Sequence, residues 1–157
     1  MEIKIRLATV QDREFITGLA PRFAECELPP WRSRETIVQG TAPHVCAAVE
    51  RGNDDRSVVL VAELHGERVG FAWALIIEDF YTRKPVGKVS EIATARDGTG
   101  AGKALMEACE EWARSIGAEL MVLNVLEGNT QARAFYRRLG YAPEYTMFAK
   151  ALSTRPV

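Results

Sequence analysis

The 157-residue sequence has little of the chemistry from which metal centres and disulfide frameworks are built. It contains 2 histidines and 3 cysteines, and Cys26, Cys46 and Cys109 are widely spaced with no CxxC pair. An odd number of isolated cysteines predicts reduced, mostly buried thiols in a cytoplasmic protein. Two histidines cannot complete a zinc-ligand set at the usual spacings, so we predict no metal site.

The sequence also lacks long apolar runs and an excess of charge of one sign. Its longest apolar runs, such as 71–77, are strand length and too short to cross a bilayer, and the N-terminus does not resemble a signal peptide. The 20 basic and 21 acidic residues give a formal net charge of −1. Electrostatics therefore gives no reason to expect a nucleic acid or an anionic membrane as partner.

What the sequence does contain is one uninterrupted series of strand and helix patterns without repeats or linkers. We therefore predict a single domain over residues 1–152 with a C-terminal tail at 153–157. One parallel crossover, through the helix after a glycine-rich turn, indicates a mixed α+β sheet. The predicted elements are a strand at 3–7, a helix through 15–23, a helix capped by Ser33 and broken near 40–43, strands at 57–64, 69–77 and 88–95, a helix from 100 or 101, a strand at 120–125, a helix from 128–130 to 140, and one or two strands at 141–152.

The glycine-rich turn, ARDGTGAGKAL at 95–105, is the first candidate site. Its alternate glycines (98, 100 and 102) let backbone N–H groups point into one concave space, and the helix N-terminus adds a partial positive charge. Phosphate or pyrophosphate is the natural occupant of such a site. A plain strand-to-helix turn is the alternative, which three glycines in five residues disfavour.

Neither common nucleotide-binding pattern fits this turn. A Walker A loop would begin at Asp97, and Ala104 after Lys103 offers no hydroxyl for magnesium. The glycine spacing also differs from the dinucleotide pattern GxGxxG.

A second candidate segment is the helix NTQARAFYRRLGY at 129–141. Ala132, Phe135 and Leu139 share a face suited to the core, whereas Asn129 and Tyr136 project together on another side. An amide and a phenol aligned in this way could meet a ligand lying along the helix. The structural alternative is that Asn129 caps the helix and Tyr136 is packing.

Together the two segments resemble the GNAT superfamily of N-acetyltransferases, and the resemblance extends over nearly the whole chain. The family's [QR]xxGx[GA] turn matches at Gly100 and Gly102, while Asp97 occupies the place of its Gln or Arg. Because a carboxylate near a pyrophosphate is unfavourable, we expect Arg96 or Lys103 to compensate. The family's second pattern matches at Asn129, Ala132, Phe135, Tyr136, Gly140 and Tyr141.

The resemblance implies a GNAT-like acyl-CoA N-acyltransferase fold, with a mixed, mostly antiparallel sheet flanked by helices. It implies acetyl transfer from acetyl-CoA, as co-substrate and without a metal, to a primary amine of a small molecule or a protein. Tyr136 matches the tyrosine that protonates the CoA thiolate, and Asn129 the residue that contacts pantetheine or a water. The implied cofactor-binding residues are Ile92, Ala93, Thr94, Gly98, Thr99, Gly100, Ala101, Gly102, Lys103, Asn129 and Tyr136.

The general base is not given by any motif. Glu91, on the strand that enters the glycine-rich turn, is our candidate, with a solvent-facing or arginine-paired carboxylate as the alternative. Residues expected to flank the acceptor slot are Glu78, Asp79, Tyr81, Trp31 and Trp73, the two tryptophans having a core role as alternative. A non-catalytic acyl-CoA-binding or regulatory module is the alternative function, and a homodimer is common in the family.

Overall fold

The computed structural model describes residues 2–155. The elements, in chain order, are β1 (Ile3–Leu7), a 3-10 turn (Val10–Asp12), α1 (Arg13–Gly18), a second 3-10 segment (Ala20–Ala24), α2 (Arg34–Arg51), β2 (Ser57–Leu64), β3 (Glu67–Glu78), β4 (Pro85–Thr94), α3 (Ala101–Ser115), β5 (Met121–Leu123) and α4 (Thr130–Arg138).

The five described strands form one sheet in the order β1-β2-β3-β4-β5. The first three pairings are antiparallel and follow sequential connections. Strands β4 and β5 are parallel, and α3 makes the crossover between them, as the sequence predicts. The expected mixed, mostly antiparallel sheet is confirmed.

Helices cover both faces of this sheet, and each face has its own core. On one face, α1 and α2 pack over a cluster that includes Ile16, Val45 and Phe71. On the other, α3 and α4 pack over a cluster that includes Leu105, Cys109 and Val89. The amphipathic stripe of α3 is buried where the sequence pattern predicted it, because burying one stripe of a helix on a sheet is what stabilises it.

Two local features of β4 create an opening at the edge of the sheet. Strand β5 pairs only with residues 87–89 of β4, so the two strands separate from Ser90 onward. Ser90 is also the extra residue of a β-bulge, because Glu91 lies opposite Trp73 while Val89 lies opposite Ala74. The second half of β4 therefore has a free backbone edge, next to a local change in side-chain direction.

Two predictions about elements are wrong. Helix α2 is continuous from Arg34 to Arg51 and contains Pro43 rather than breaking there. Its inner face is buried at Val45, Ala48 and Val49, and this packing offsets the hydrogen bond lost at proline.

The strands expected at 141–152 are the second error. No strand forms within residues 141–155, and the apolar side chains that suggested one are exposed, 88% for Met147 and 91% for Phe148. A strand here could pair only with an open sheet edge such as the outer edge of β5, and residues 141–155 make no such pairing. Their exposed apolar side chains gain no burial that would offset the cost of ordering a strand. Separately, none of the helices within residues 2–155 is long and apolar enough to span a membrane.

Candidate functional site

The glycine-rich turn lies at the end of β4 and leads directly into α3. Gly98 and Gly100 have left-handed φ values of 75° and 83°, which glycine adopts without the steric cost of a Cβ. Gly100 is the N-cap of α3, and the N–H of Ala101 donates to Oγ1 of Thr99 over 3.3 Å. Because the first N–H groups of a helix have no intrahelical acceptor, those of Gly102 and Lys103 are left for a ligand.

Gly102 lies where the N-terminus of α3 packs closely against α4 and β4. A Cβ at this position would lie 3.3 Å from Cζ of Phe135 in α4 and 3.8 Å from Cγ2 of Thr94 in β4. The absence of a side chain thus lets the N-terminus of α3 approach both β4 and α4. The turn is therefore held against the same elements that carry the other candidate residues.

Asp97 has partners that the sequence did not reveal. Its Oδ1 accepts from an Nη of Arg22 over 2.6 Å, and its Oδ2 accepts from Nε2 of Gln131 over 3.1 Å. The compensation expected from Arg96 or Lys103 is therefore supplied by Arg22. Lys103 instead points along its own helix, with Nζ 3.7 Å from Oε1 of Glu107.

The free edge of β4 presents backbone groups to the opening. The N–H of Ala95 donates to the carbonyl of Val69 in β3 over 2.8 Å, and along a strand successive residues alternate in direction. The N–H groups of Ile92 and Thr94 are thus directed away from β3 and into the opening, while Ala93 faces β3. The carbonyl of Thr94 also points outward, since it accepts from Nε of Arg22 over 3.0 Å.

Glu91 lies on the α1/α2 face of the sheet. Its neighbour in register is Trp73, which belongs to the core cluster of that face. The bulge at Ser90 is the cause, since without it Glu91 would share the opposite face with Val89. Its Oε2 atom is buried and, among residues 2–155, has no hydrogen-bond partner.

The surroundings of Glu91 suit a base. Burial raises the pKa of its carboxyl, against the opposing effects of a Ser90 hydrogen bond and of nearby His44 and Lys88. The arginine pairing considered as an alternative is not found among the described residues. A desolvated carboxylate with a raised pKa is a stronger base than an exposed one.

Tyr136 lies on the other face, in α4, and packs against the cluster beneath α3. Its ring centroid is 5.2 Å from that of Phe135 and 6.0 Å from that of Tyr141. Burial raises the pKa of the Tyr136 phenol to about 12, so the hydroxyl stays protonated at neutral pH. Burial likewise raises the pKa of the neighbouring Cys109 thiol to about 12.

Three further predicted residues (Asn129, Trp73 and Asp79) make contacts that stabilise the fold around them. Asn129 is the N-cap of α4 and its Oδ1 accepts from the N–H of Ala132 over 3.1 Å, which leaves the side-chain amide for a ligand. Trp73 is a core residue, because its side chain is buried and its Nε1 donates to Oγ of Ser57 over 2.9 Å. Asp79 orders its own loop by accepting from the N–H groups of Tyr81 and Thr82.

Trp31 lies beside the C-terminal segment. Together with Arg32 it lines one side of a shallow cavity, whose other side is residues 149–153. Within residues 2–155 no three side chains of metal-ligating type are grouped together.

Comparison with known proteins finds relatives in sequence and in fold. The chain is 37% identical over 89 residues to an uncharacterized N-acetyltransferase from Archaeoglobus fulgidus, covering 52% of this chain and 58% of that one. It thus spans little more than half the length of that relative.

Two solved structures share the fold across nearly the whole chain. A ribosomal-protein-alanine N-acetyltransferase from Brucella melitensis biovar Abortus 2308 has a TM-score of 0.69 at 19% identity, covering 97% of this chain and 100% of that chain. AAC(6')-Iy, solved with the bisubstrate analogue CoA-S-monomethyl-acetylneamine, has a TM-score of 0.68 at 20% identity, covering 98% of this chain and 100% of that chain.

The family model of the acetyltransferase (GNAT) family matches residues 20–141, which include the glycine-rich turn, the free edge of β4 and α4. This match covers well over half of the chain. The chain therefore belongs to the acetyltransferase (GNAT) family.

Proposed function

We propose that the protein transfers the acetyl group of acetyl-CoA to a primary amine by direct attack within a ternary complex. The observation that carries this proposal is the position of Glu91 and Tyr136 on opposite faces of the sheet, with Glu91 on the part of β4 that has parted from β5 and Tyr136 in α4, which follows β5. A thioester in the opening between these strands has a base on one side and an acid on the other. Family membership and the CoA-analogue complex of AAC(6')-Iy support the choice of ligand.

The residues present fit an acyl-CoA. The N–H groups of Gly102 and Lys103 and the N-terminus of α3 suit the diphosphate. Added Cβ atoms at Gly98 and Gly100 would meet nothing within 4 Å, so the surface of the turn is open to a ligand. The outward backbone groups of Ile92 and Thr94 suit the amide-rich pantetheine chain, which would extend the sheet edge as a strand does.

Glu91 removes the first obstacle to the reaction. An alkyl ammonium, with a pKa of roughly 10, has no lone pair and must lose a proton before its nitrogen can attack. Glu91 takes that proton through a water, and the amine nitrogen then forms a bond to the thioester carbon. The nitrogen releases its second proton to solvent as the tetrahedral intermediate collapses to the amide and the C–S bond breaks. A backbone N–H at the free edge of β4 donates to the oxyanion that develops on the carbonyl oxygen.

Tyr136 completes the transfer by protonating the sulfur as the C–S bond breaks. In water a thiol with a pKa of about 8.5 would leave as a stable thiolate. In a partly desolvated opening the charged thiolate is less stable than in water, which raises the pKa of the leaving thiol toward that of a phenol. Tyr136, whose phenol is protonated at neutral pH, then donates its proton to the sulfur, and solvent restores the phenol proton.

The acceptor is a small-molecule or peptide amine. The fold relatives named above include an enzyme named for a ribosomal protein's alanine and an aminoglycoside enzyme, so both classes belong in a screen. The test is an acetyl-CoA consumption assay with the purified protein against amines, amino acids, polyamines, aminoglycosides and peptide N-termini. Product is identified by a mass gain of one acetyl group.

The Tyr136→Phe variant is the control for this assay. Turnover by the wild-type protein that falls in this variant supports the proposal. Saturable CoA binding without turnover on any acceptor would instead favour a non-catalytic acyl-CoA-binding module, and failure to bind CoA would overturn both functions.

A further inference from the structure

Arg22 and Asp97 join two parts of the chain that are 75 residues apart in sequence. Asp97 belongs to the glycine-rich turn, and Arg22 to the 3-10 segment Ala20–Ala24, which follows α1. Gln131, in the first turn of α4, donates to the second oxygen of the same carboxylate. We refer to Arg22, Asp97 and Gln131 as the clasp.

The backbone segment that carries Arg22 is held in place by packing against the sheet. Ala20 and Ala24 are buried, 3% and 6% exposed, and Phe23 packs edge-on to Phe71 of β3 with ring centroids 6.3 Å apart. The backbone that carries the guanidinium is therefore anchored on the sheet. From there Nε of Arg22 also reaches the carbonyl of Thr94, the last residue of β4.

The segment after Arg22 also reaches the other side of the opening. A Cβ at Gly128, which precedes the cap of α4, would overlap the carbonyl oxygen of Glu27. Residues 22–27 thus contact the turn after β4 at one end and the turn before α4 at the other. Together with the Asp97–Gln131 hydrogen bond, they link the start of α4 to the glycine-rich turn that we propose for the diphosphate.

We propose that Arg22 is a positioning residue for acetyl-CoA, and that Asp97 is its anchor rather than a residue facing the diphosphate. The clasp holds the turn in its left-handed glycine conformation before the ligand arrives, so that less ordering is needed on binding. This inference rests on the proposed function for its ligand, whereas the ordering of the turn can be tested without one.

The direction in which Asp97→Asn changes the affinity for CoA distinguishes an anchoring role of Asp97 from simple charge repulsion of the diphosphate. If Asp97 only repelled the diphosphate, Asp97→Asn would bind CoA more tightly than the wild type. If Asp97 anchors Arg22 and Gln131, the same variant binds CoA about two- to fivefold more weakly, the size expected when a partly exposed ion pair is lost. Arg22→Ala has the same effect, raising the KM for acetyl-CoA with little change in kcat.

Glu25→Gln is the matched control. Glu25 pairs with the other Nη of Arg22 over 2.8 Å and carries the same charge as Asp97, but it belongs to the Arg22 side of the clasp. Its neutralisation should not weaken CoA binding. The double variant Arg22→Ala/Asp97→Asn should bind no more weakly than the weaker single variant, because the two residues act through each other.

The experiment combines CoA titration by calorimetry with hydrogen–deuterium exchange of the ligand-free protein. We expect faster exchange at residues 96–102 in Arg22→Ala and Asp97→Asn, and unchanged exchange in Glu25→Gln. Equal or tighter CoA binding by Asp97→Asn, or unchanged exchange in both variants, would overturn the clasp. Should the wild type not bind CoA, the proposed function fails and the exchange measurement still decides the clasp.

Discussion

Glu91 and Tyr136 lie on opposite faces of the sheet, Glu91 on the face covered by α1 and α2 and Tyr136, in α4, on the face covered by α3. The separation follows from the bulge at Ser90, which turns Glu91 away from the face that Val89 occupies. Because β4 and β5 separate between the two faces, Glu91 can accept a proton from the attacking amine while Tyr136 donates one to the departing sulfur.

Tyr136→Phe should lower kcat by about 10²-fold, at the lower end of the range for loss of a general acid. The ring remains, so its packing and the affinity for acetyl-CoA should be largely kept. Steady-state kinetics with a responsive acceptor gives kcat, and calorimetry gives the affinity.

Tyr141→Phe is the matched control for this prediction. Tyr141 neighbours Tyr136, but its hydroxyl donates to Oε1 of Glu110 over 2.7 Å and is already engaged. Its kcat should match the wild type. Unchanged turnover in Tyr136→Phe would remove the proposed acid.

Glu91→Gln should lower kcat/KM by about 10²-fold and change the pH profile. A carboxylate accepts a proton only above its own pKa, and burial raises the pKa of Glu91. Wild-type kcat/KM should therefore rise as pH increases through that raised pKa, and the variant should lose this limb. Glu78→Gln, at an exposed pair with Arg83, should keep it; an identical profile in Glu91→Gln would exclude Glu91 as the base.

The features of this site that could be predicted from the sequence are those set by residues close to one another in the chain. Ser33 accepts from the N–H of Thr36 as its cap pattern predicts, and α3 begins at Ala101 after the αL glycine. Both depend only on residues within one turn of helix. The glycine-rich turn was predictable for the same reason.

The unpredicted features are set by contacts distant in sequence. The Ser90 bulge depends on how β3 and β4 pair, and the local sequence at 89–93 (VSEIA) contains no signal that predicts it. The Arg22–Asp97 pair depends on where the 3-10 segment docks. The prediction of C-terminal strands was wrong because residues 141–152 neither pair with the open outer edge of β5 nor bury their large apolar side chains, and the sequence pattern reports neither contact.

Gly102→Glu should weaken CoA binding by on the order of 10²-fold or more. It places a carboxylate at the helix N-terminus proposed for the diphosphate, where like charges repel strongly in a partly desolvated site. Gly102→Ala is the control, since its Cβ would require the Phe135 ring to move by only a few tenths of an ångström. Calorimetry on both variants, with circular dichroism to verify folding, tests the prediction; wild-type affinity in Gly102→Glu would place the diphosphate elsewhere.

Asp12→Asn should reduce the free energy of unfolding by about 2–3 kcal/mol at neutral pH, because it breaks a buried ion pair from one side. Asp12 is 2% exposed and accepts two hydrogen bonds from Arg6, at 2.8 and 2.9 Å. Hydrogen bonding to Arg6 holds the pKa of Asp12 well below its usual range, with burial acting in the opposite direction.

The pH dependence of that loss follows from the lowered pKa. A carboxyl whose pKa is lower in the folded state stabilises the fold fully above its unfolded pKa, about 3.9 for aspartate, and loses that contribution as pH falls through the folded pKa. The difference between wild type and Asp12→Asn, measured by urea unfolding, should be constant from pH 5 to 7 and shrink below about pH 4. Glu111→Gln, at an exposed pair with Arg114, should change stability by less than about 0.5 kcal/mol throughout. A difference for Asp12→Asn that persisted unchanged to pH 2 would show that the lost stability comes from packing rather than from the charge on Asp12.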